Sequence, residues 1–517
     1  MDSEETIASP DKTAFAPTAP HVDTSPGRMD RSLAGSLAWR AAADWGSQIL
    51  SWASLFVVVR LLTPADFGLV GMALILLPYL RWVSEFGISR TIVTFRDLDD
   101  DRIAQLNTIA VFFGCVGFAI AAALSRPVAA FFRTPKLVPV ILVACSSLFL
   151  WGIRAVPEGL LTRDLRFQFI ALVETAYSVV SAIVTLGLAF LHFGYWALVL
   201  GNLTGLLARS ILLLWARPHR FAMPHLASLR KELLYGWHIL VSLLAFNSYQ
   251  SMDNVTAGRV LGQVALGVYT MAWSLAHVPL EKVTSLVTTV IPSYLSAVQN
   301  DEEALRRYVR TITEGVALAT FPATIGLGLV ARELIPLVLG QKWIGVIAPL
   351  EVLSVYAALR SIVALLSKVL TSVGNARYVM WNDLAALVIL PIGFYIGSHW
   401  GVSGIAWGWV VAYPIVVIPL YYKTFQTIHM KTAEYVRAIR PALDGAVFMA
   451  GAVLALKWFL PASLPMVVRL ILEIATGALV YVGTVMVFHR ERALSFLRLA
   501  KSFRRKKVKK VSAIAKD

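Results

Sequence analysis

Residues 60–73, RLLTPADFGLVGMA, can be laid over residues 259–272, RVLGQVALGVYTMA, with Arg60 on Arg259, Leu62 on Leu261, Gly68 on Gly267, Met72 on Met271 and Ala73 on Ala272. Two further matches follow in the same order. SLFLWGIR, ending at Arg154, has the pattern of SVYAALR, ending at Arg360, and Gly194 and Gly201 of GYWALVLG fall on Gly401 and Gly408 of GVSGIAWG. One match between apolar segments means little, because such segments resemble each other by composition. Three in sequence order, at an offset that barely drifts, mark an internal duplication.

The material being duplicated is membrane-spanning. Of the 517 residues 57% are hydrophobic and 15% charged, with a mean hydropathy of +0.68, whereas a soluble chain carries about 25% charged residues. At roughly 20 apolar residues per span, the chain furnishes about 14 transmembrane helices, running from about 35–60 through 466–488. The fold expected is an all-α integral membrane protein made of two six-helix repeats, spans 1–6 and 7–12, followed by two extra C-terminal helices. Six is even, so the copies insert with the same orientation, related by a parallel pseudo-two-fold axis along the membrane normal. Such a duplication leaves a cleft between bundles, which is a transport architecture.

The expected organisation is a disordered cytosolic tail over 1–33, an N-terminal bundle over 34–217, a C-terminal bundle over 218–425, two additional helices over 426–489 and a basic amphipathic tail over 490–517. The first segment is rich in Asp, Glu, Ser, Thr and Pro and lacks the n- and h-regions of a signal peptide; Met29 is an alternative start. The balance of 47 Lys+Arg against 31 Asp+Glu would point a soluble protein to nucleic acid, but here the basic residues cluster between apolar runs. With the N-terminus inside, about 35 of the 47 fall at cytosolic tails, loops and span ends and about 9 on the other side, so both termini are expected in the cytosol. The tail RERALSFLRLAKSFRRKKVKK intersperses Leu and Phe among its cations, the pattern of a helix lying on an anionic leaflet.

Charge inside a span costs roughly 2.5–3.5 kcal/mol or more, so embedded charges should face an interior or cavity. Lys282 and Arg360 come out nearest the membrane middle, and Arg40 and Arg81 nearer the cytosolic side at similar depth. These four are candidate ligands for an anionic cargo, although Arg40 with Asp44 and Arg81 with Glu85 are i,i+4 pairs that equally well compensate each other on one helix. Arg154, with Glu158 four residues on, reads as a cation snorkelling to the interface. Asp44, Asp253 and Glu281 are the embedded carboxylates open to proton or Na⁺ coupling. No GxxxxGK string provides a nucleotide site, Cys115 and Cys145 stand alone, and the histidines have no metal-ligand spacing. DLDDD, residues 97–101, reads as a solvated charge cluster.

RLLTPADFGLVGMA, followed by SEFGISRTIV, resembles the first hairpin of the Wzx-like bacterial polysaccharide flippases, the polysaccharide transporter family of the multidrug/oligosaccharidyl-lipid/polysaccharide superfamily. PEGLLTRDLRFQ (157–168), GYWALVLG (194–201) and LVLGQKWIGVIAPLEVL (337–353) look like later landmarks of that family, particularly of its colanic-acid and succinoglycan-type exporters. The resemblance spans about 35–425. It implies a bacterial inner-membrane flippase for undecaprenyl-diphosphate-linked oligosaccharide repeat units, working by alternating access; for the basic tail, anionic lipids are the expected partner and a polysaccharide polymerase or co-polymerase complex the rival one, and no cofactor is expected. A lipid II flippase or an ion-coupled multidrug exporter of the same fold is the nearest alternative. A polymerase or ligase is disfavoured, since the short outer loops leave no room for a large domain to hold donor and acceptor; no enzymatic activity is expected.

Overall fold

The computed structural model describes residues 52–95, 97–225, 229–237, 240, 251–288, 302–461 and 463–492. Arg40, Asp44 and both terminal tails therefore lie outside the described residues. Within them the chain is helical, with no strand, and eleven helices are long and apolar enough to cross a membrane. The first half comprises α1 (Trp52–Leu61), α2 (Pro64–Glu85), α3 (Ile88–Thr94), α4 (Asp100–Phe131), α5 (Leu137–Cys145), α6 (Ser147–Arg163), α7 (Phe167–Phe190) and α8 (Tyr195–Ala216). A helical segment over 230–237, α9, precedes the second half. There α10 (Met252–Thr256) passes through a π-helical turn, Ala257–Leu261, into α11 (Gln263–Thr288). Then come α12 (Glu302–Leu329), α13 (Ala331–Val338), a 3₁₀ turn (Gln341–Val346), α14 (Ile347–Ser372), α15 (Ala376–Ser398), α16 (Gly401–Thr427), α17 (Thr432–Phe459) and α18 (Met466–Phe488).

The TPAD string explains how α2 begins. Pro64 occupies the first helical turn, where its missing N–H costs nothing. Thr63 and Asp66 form a reciprocal capping box, the Thr63 N–H donating to Asp66 Oδ2 at 2.9 Å and the Asp66 N–H to the Thr63 hydroxyl at 3.3 Å. The other Asp66 oxygen accepts the Tyr195 N–H at 3.1 Å and so ties the start of α8 to the start of α2. Gly194 is needed at this junction. Its φ is +55°, and a Cβ there would come 3.1 Å from the same carboxylate oxygen.

The two halves meet chiefly along α2 and α11. Gly68 and Gly267, the pair aligned at offset 199, lie backbone to backbone: a Cβ on Gly68 would fall 1.8 Å from the Gln263 carbonyl oxygen, and one on Gly267 1.8 Å from that of Pro64. The aligned arginines flank this seam. Arg60 donates through Nε to the Val338 carbonyl at 2.8 Å and through its second branch to that of Leu337, at the C-terminal end of α13. Arg259 donates to the Phe131 carbonyl, at the C-terminal end of α4, and lies over the Phe131 ring. Each half thus extends a guanidinium onto the carbonyl end of a helix in the other, where orphan acceptors and the helix dipole both favour a cation. Lys342 and Trp343 add bonds to the Arg60 and Val59 carbonyls, at 2.6 and 2.9 Å. All these groups sit at the end of the bundle that the charge asymmetry assigns to the outside, here the outer end, and they join the two halves there.

Helices α17 and α18 pack on each other and on α12. Their charged residues converge on α13: Lys457 pairs with Glu333 at 2.6 Å and with the buried Glu473 at 3.3 Å, and Arg469 reaches Glu333 at 3.6 Å. The helix whose C-terminus Arg60 caps is therefore held at its other end by the last helical pair.

Loss of one latch should cost the closed outer end about 1 kcal/mol, about a fivefold change in the open-to-closed ratio. With spin labels at positions 136 and 341, in a background lacking Cys115 and Cys145, Arg60→Ala and Arg259→Ala should each enlarge a longer-distance population, and Gly267→Ala should broaden it further. A distance distribution identical to the parent in all three would remove the latch role.

Candidate transport cavity

Directly inward of the Gly68–Gly267 seam, a cavity of about 540 Å³ opens between α1, α2, α5, α6, α7 and α8 on one side and α10 and α11 on the other. Gly71 and Thr270 line it three residues beyond the two seam glycines, about 4.5 Å further in. None of the described side chains lining it is charged. Its polar groups are hydroxyls and amides, Ser147, Tyr177, Asn202, Asn254, Thr270 and Ser274 among them, set in an otherwise apolar wall. Close packing of α7 on α8 positions Tyr177 and Asn202. Gly201 meets Thr185 and Gly205 meets Ser181 and Tyr177, each too closely for a side chain, and the Tyr177 hydroxyl donates to Asn202 Oδ1 at 2.7 Å.

One to two turns further along the same helices the character changes to charge. Arg81 follows the cavity residue Leu77 by four positions, Arg154 follows Ser147 by seven, Arg209 follows Asn202 by seven, and Glu174 precedes Tyr177 by three. Helix direction puts all four on the side away from the seam, about 5–10 Å below. They form one network. Arg154 and Arg209 share Glu158, at 3.3 and 3.1 Å; Arg209 also holds Glu174 at 2.7 Å; and Arg81 faces Glu85 at 3.9 Å. The guanidinium carbons of Arg81 and Arg154 lie over the Trp151 indole, 4.5 and 3.4 Å from its centre, an arrangement that ring quadrupole attraction favours.

Arg154 does not snorkel. It is 2% exposed, held under Trp151 and against Glu158, because α6 turns this face onto α2, α4 and α8 rather than to the membrane surface. The Nε atoms of Arg81, Arg154 and Arg209, and Nη1 of Arg154, are buried without a hydrogen-bond acceptor. The layer is balanced in formal charge yet has donors to spare.

The other sequence candidates fall elsewhere. Arg360 is half-buried on α14; its Nη1 donates to the Tyr356 hydroxyl at 3.2 Å, and its guanidinium stands 5.9 Å from the Tyr356 and Trp273 rings. Those rings belong to an aromatic group with Trp409 and Tyr413. Asp253 is fully buried behind it. One carboxylate oxygen accepts the Tyr269 hydroxyl at 2.8 Å and the Trp409 N–H at 3.1 Å, the other the Asn254 N–H at 2.7 Å. Glu281 and Lys282 are on the exposed side of α11. The structure thus gathers Arg81 and Arg154 with Trp151, Arg209 and Glu174, the last three of which sequence reasoning did not single out. The available signal was a charged residue interrupting an apolar run, as in GNLTGLLARS and ALVETAY. Among the described residues no cluster of three or more His, Cys, Asp or Glu could hold a metal ion.

A family model described as "Polysaccharide biosynthesis protein" matches residues 57–348, more than half of the chain. The lipopolysaccharide biosynthesis protein WzxC of Escherichia coli is 25% identical over 407 residues, covering 76% of this chain and 80% of its own. The succinoglycan biosynthesis transport protein ExoT of Rhizobium meliloti is 23% identical over 486 residues, covering 90% and 94%. Among solved structures, the lipid II flippase MurJ in an inward closed conformation superposes with a TM-score of 0.66 at 15% identity, over 87% of this chain and 99% of that one. At that identity the likeness establishes the fold.

Glu158→Gln withdraws the carboxylate that Arg154 and Arg209 share and should destabilise the detergent-solubilised protein by about 3 kcal/mol, as breaking a buried pair does. Its unfolding midpoint should drop well below that of Glu85→Gln, whose partner Arg81 is more exposed; equal midpoints would argue against a shared anchor.

Proposed function

Because the chain belongs to the polysaccharide biosynthesis protein family, we propose that it moves undecaprenyl-diphosphate-linked oligosaccharide repeat units from the cytosolic to the periplasmic leaflet of a bacterial inner membrane. At the coarser level the chain is a multi-pass membrane protein with the fold of the flippase superfamily, and a transporter of polysaccharide biosynthesis. The observation that carries the finer reading is the stacking of a guanidinium layer with spare donors beneath an uncharged, hydroxyl-lined cavity that is closed at one end.

Each part answers a cost of crossing the bilayer. A sugar hydroxyl or phosphate oxygen left bare in hydrocarbon costs several kcal/mol. The diphosphate exchanges water for the Arg81, Arg154 and Arg209 donors, competing with Glu158 and Glu174 for them; guanidinium suits this exchange because its fork matches phosphate geometry. The lipid tail stays between helices. Opening of the outer end, with release of the Arg60 and Arg259 latches and closure at the other, delivers the sugar to the far side by alternating access, both termini remaining in the cytosol.

Arg360 is a further contact for the anion along the second half, whereas Lys282, on the exposed side of α11, is not assigned one. Proton or Na⁺ coupling is assigned to Asp253 in preference to Glu281, since only Asp253 is buried behind the cavity wall; Asp44 is a third candidate, outside the described residues. The basic tail binds anionic lipid, and a polymerase or co-polymerase receives the product. No enzymatic step and no cofactor are invoked. A cationic drug, the cargo of the rival reading, finds no surplus of negative charge among the described lining residues. Lipid II carries the same diphosphate and remains the nearer rival; the wall residues decide between sugars.

The experiment is a deletion strain of the source bacterium lacking other homologues, followed for surface polysaccharide and for repeat units on the inner leaflet, and complemented at matched protein levels. Loss of polysaccharide with accumulation of inner-leaflet repeat units is expected. Arg81→Ala should lower restored export about tenfold, the worth of a hydrogen bond to a charged group, with Arg360→Ala lowering it less. Unchanged polysaccharide and no accumulation in the deletion strain overturn the reading.

A further inference from the structure

Building on the flippase reading, we propose that the cavity beneath the seam is a receptor for uncharged sugar, and that its wall, chiefly Asn202, Asn254 and Ser274, selects neutral over acidic repeat units. The first support is composition by depth. The charged network lies about 5–10 Å inward of the cavity along α2, α6, α7 and α8, so a sugar joined directly to a diphosphate held there falls at the level where no described lining side chain is charged.

The second is the chemistry of the wall. Asn254 lines the cavity half-buried, and its Oδ1 is buried with no hydrogen-bond partner, so a rotation of the amide toward the cavity presents an acceptor to a sugar hydroxyl. Thr270 and Ser274 donate their hydroxyl protons back to α11 carbonyls, at 3.1 and 2.8 Å, leaving oxygen lone pairs facing the cavity. Tyr177 donates to Asn202 Oδ1, which turns the Asn202 amide N–H groups to other acceptors. Phe67, Leu55 and Leu198 supply apolar surface for the C–H faces of a pyranose. At about 540 Å³ the space suits a ligand of drug-like size, a short oligosaccharide and not a polymer.

The third gives the selection its sign. Asp253 is fully buried directly behind Asn254, whose side-chain amide donates to Asp253 Oδ1 at 3.2 Å. Its other partners, Tyr269 and Trp409, are neutral donors. A uronate carboxylate entering the cavity would lose its water, meet no counter-cation among the described wall residues, and approach the Asp253 carboxyl group, which repels it whenever that group is ionised. A buried charge without a partner is strongly disfavoured, and rejection of a competitor by such a mismatch is how specificity is built.

The test uses the full-length protein in proteoliposomes with two matched probes, undecaprenyl-diphosphate glucosyl-glucose and undecaprenyl-diphosphate glucosyl-glucuronate, which differ only in a hydroxymethyl against a carboxylate. The wild type should move the neutral probe about tenfold faster or more. Ser274→Lys, on an exposed position of α11, should shrink that ratio to about threefold or less by supplying the missing cation. Asn202→Asp, an independent variant on α8, should increase it. Equal rates for both probes in the wild type, or an unchanged ratio in Ser274→Lys with Asn202→Asp also silent, overturn the selective cavity while leaving the flippase reading intact; failure to move either probe overturns both.

Discussion

The arrangement depends on two glycines. Gly68 and Gly267 bring α2 and α11 so close that any Cβ would strike a backbone carbonyl, and this contact joins the two halves and roofs the cavity. Helices at such a separation gain dispersion along their whole length, the main source of association where lipid removes the hydrophobic driving force. Arg60 and Arg259 supply what the glycines cannot, a directional bond from each half to a helix end in the other.

Below this roof, polarity is graded and not uniform. Hydroxyls and amides come first, then guanidinium and carboxylate groups packed on Trp151. The order is physically sensible for an interior that must satisfy its own charges when empty. Glu158, Glu174 and Glu85 neutralise the arginines without saturating their donors, so the layer carries no net charge and still keeps N–H groups without an acceptor. The second half solves a related problem differently: Asp253 is surrounded by neutral donors, with Arg360 held on the aromatic group in front of it.

The last helical pair is more than an appendage. Lys457, Glu473 and Arg469 grip α13 through Glu333, and α13 presents its C-terminal carbonyls to Arg60. Through α13 the last helical pair is thus connected to the contact between the two halves at the outer end.

The sequence by itself determined that the chain is a bundle of membrane helices and that charges within spans must be sheltered, because hydrophobic length and the cost of burying charge are local properties readable from one strand of text. It also placed Arg81 and Arg360 in the membrane and paired Gly68 with Gly267 by alignment. Only the tertiary structure decided which charges meet. Helical periodicity assigns a residue to a face but says nothing about what lies opposite, so Arg209 and Glu174 joined the network of Arg154 through the packing of α7 on α8 and of α6 on both. For the same reason Arg154, expected at the interface, is buried beneath Trp151, and Lys282, expected deep in the interior, stands on an exposed face.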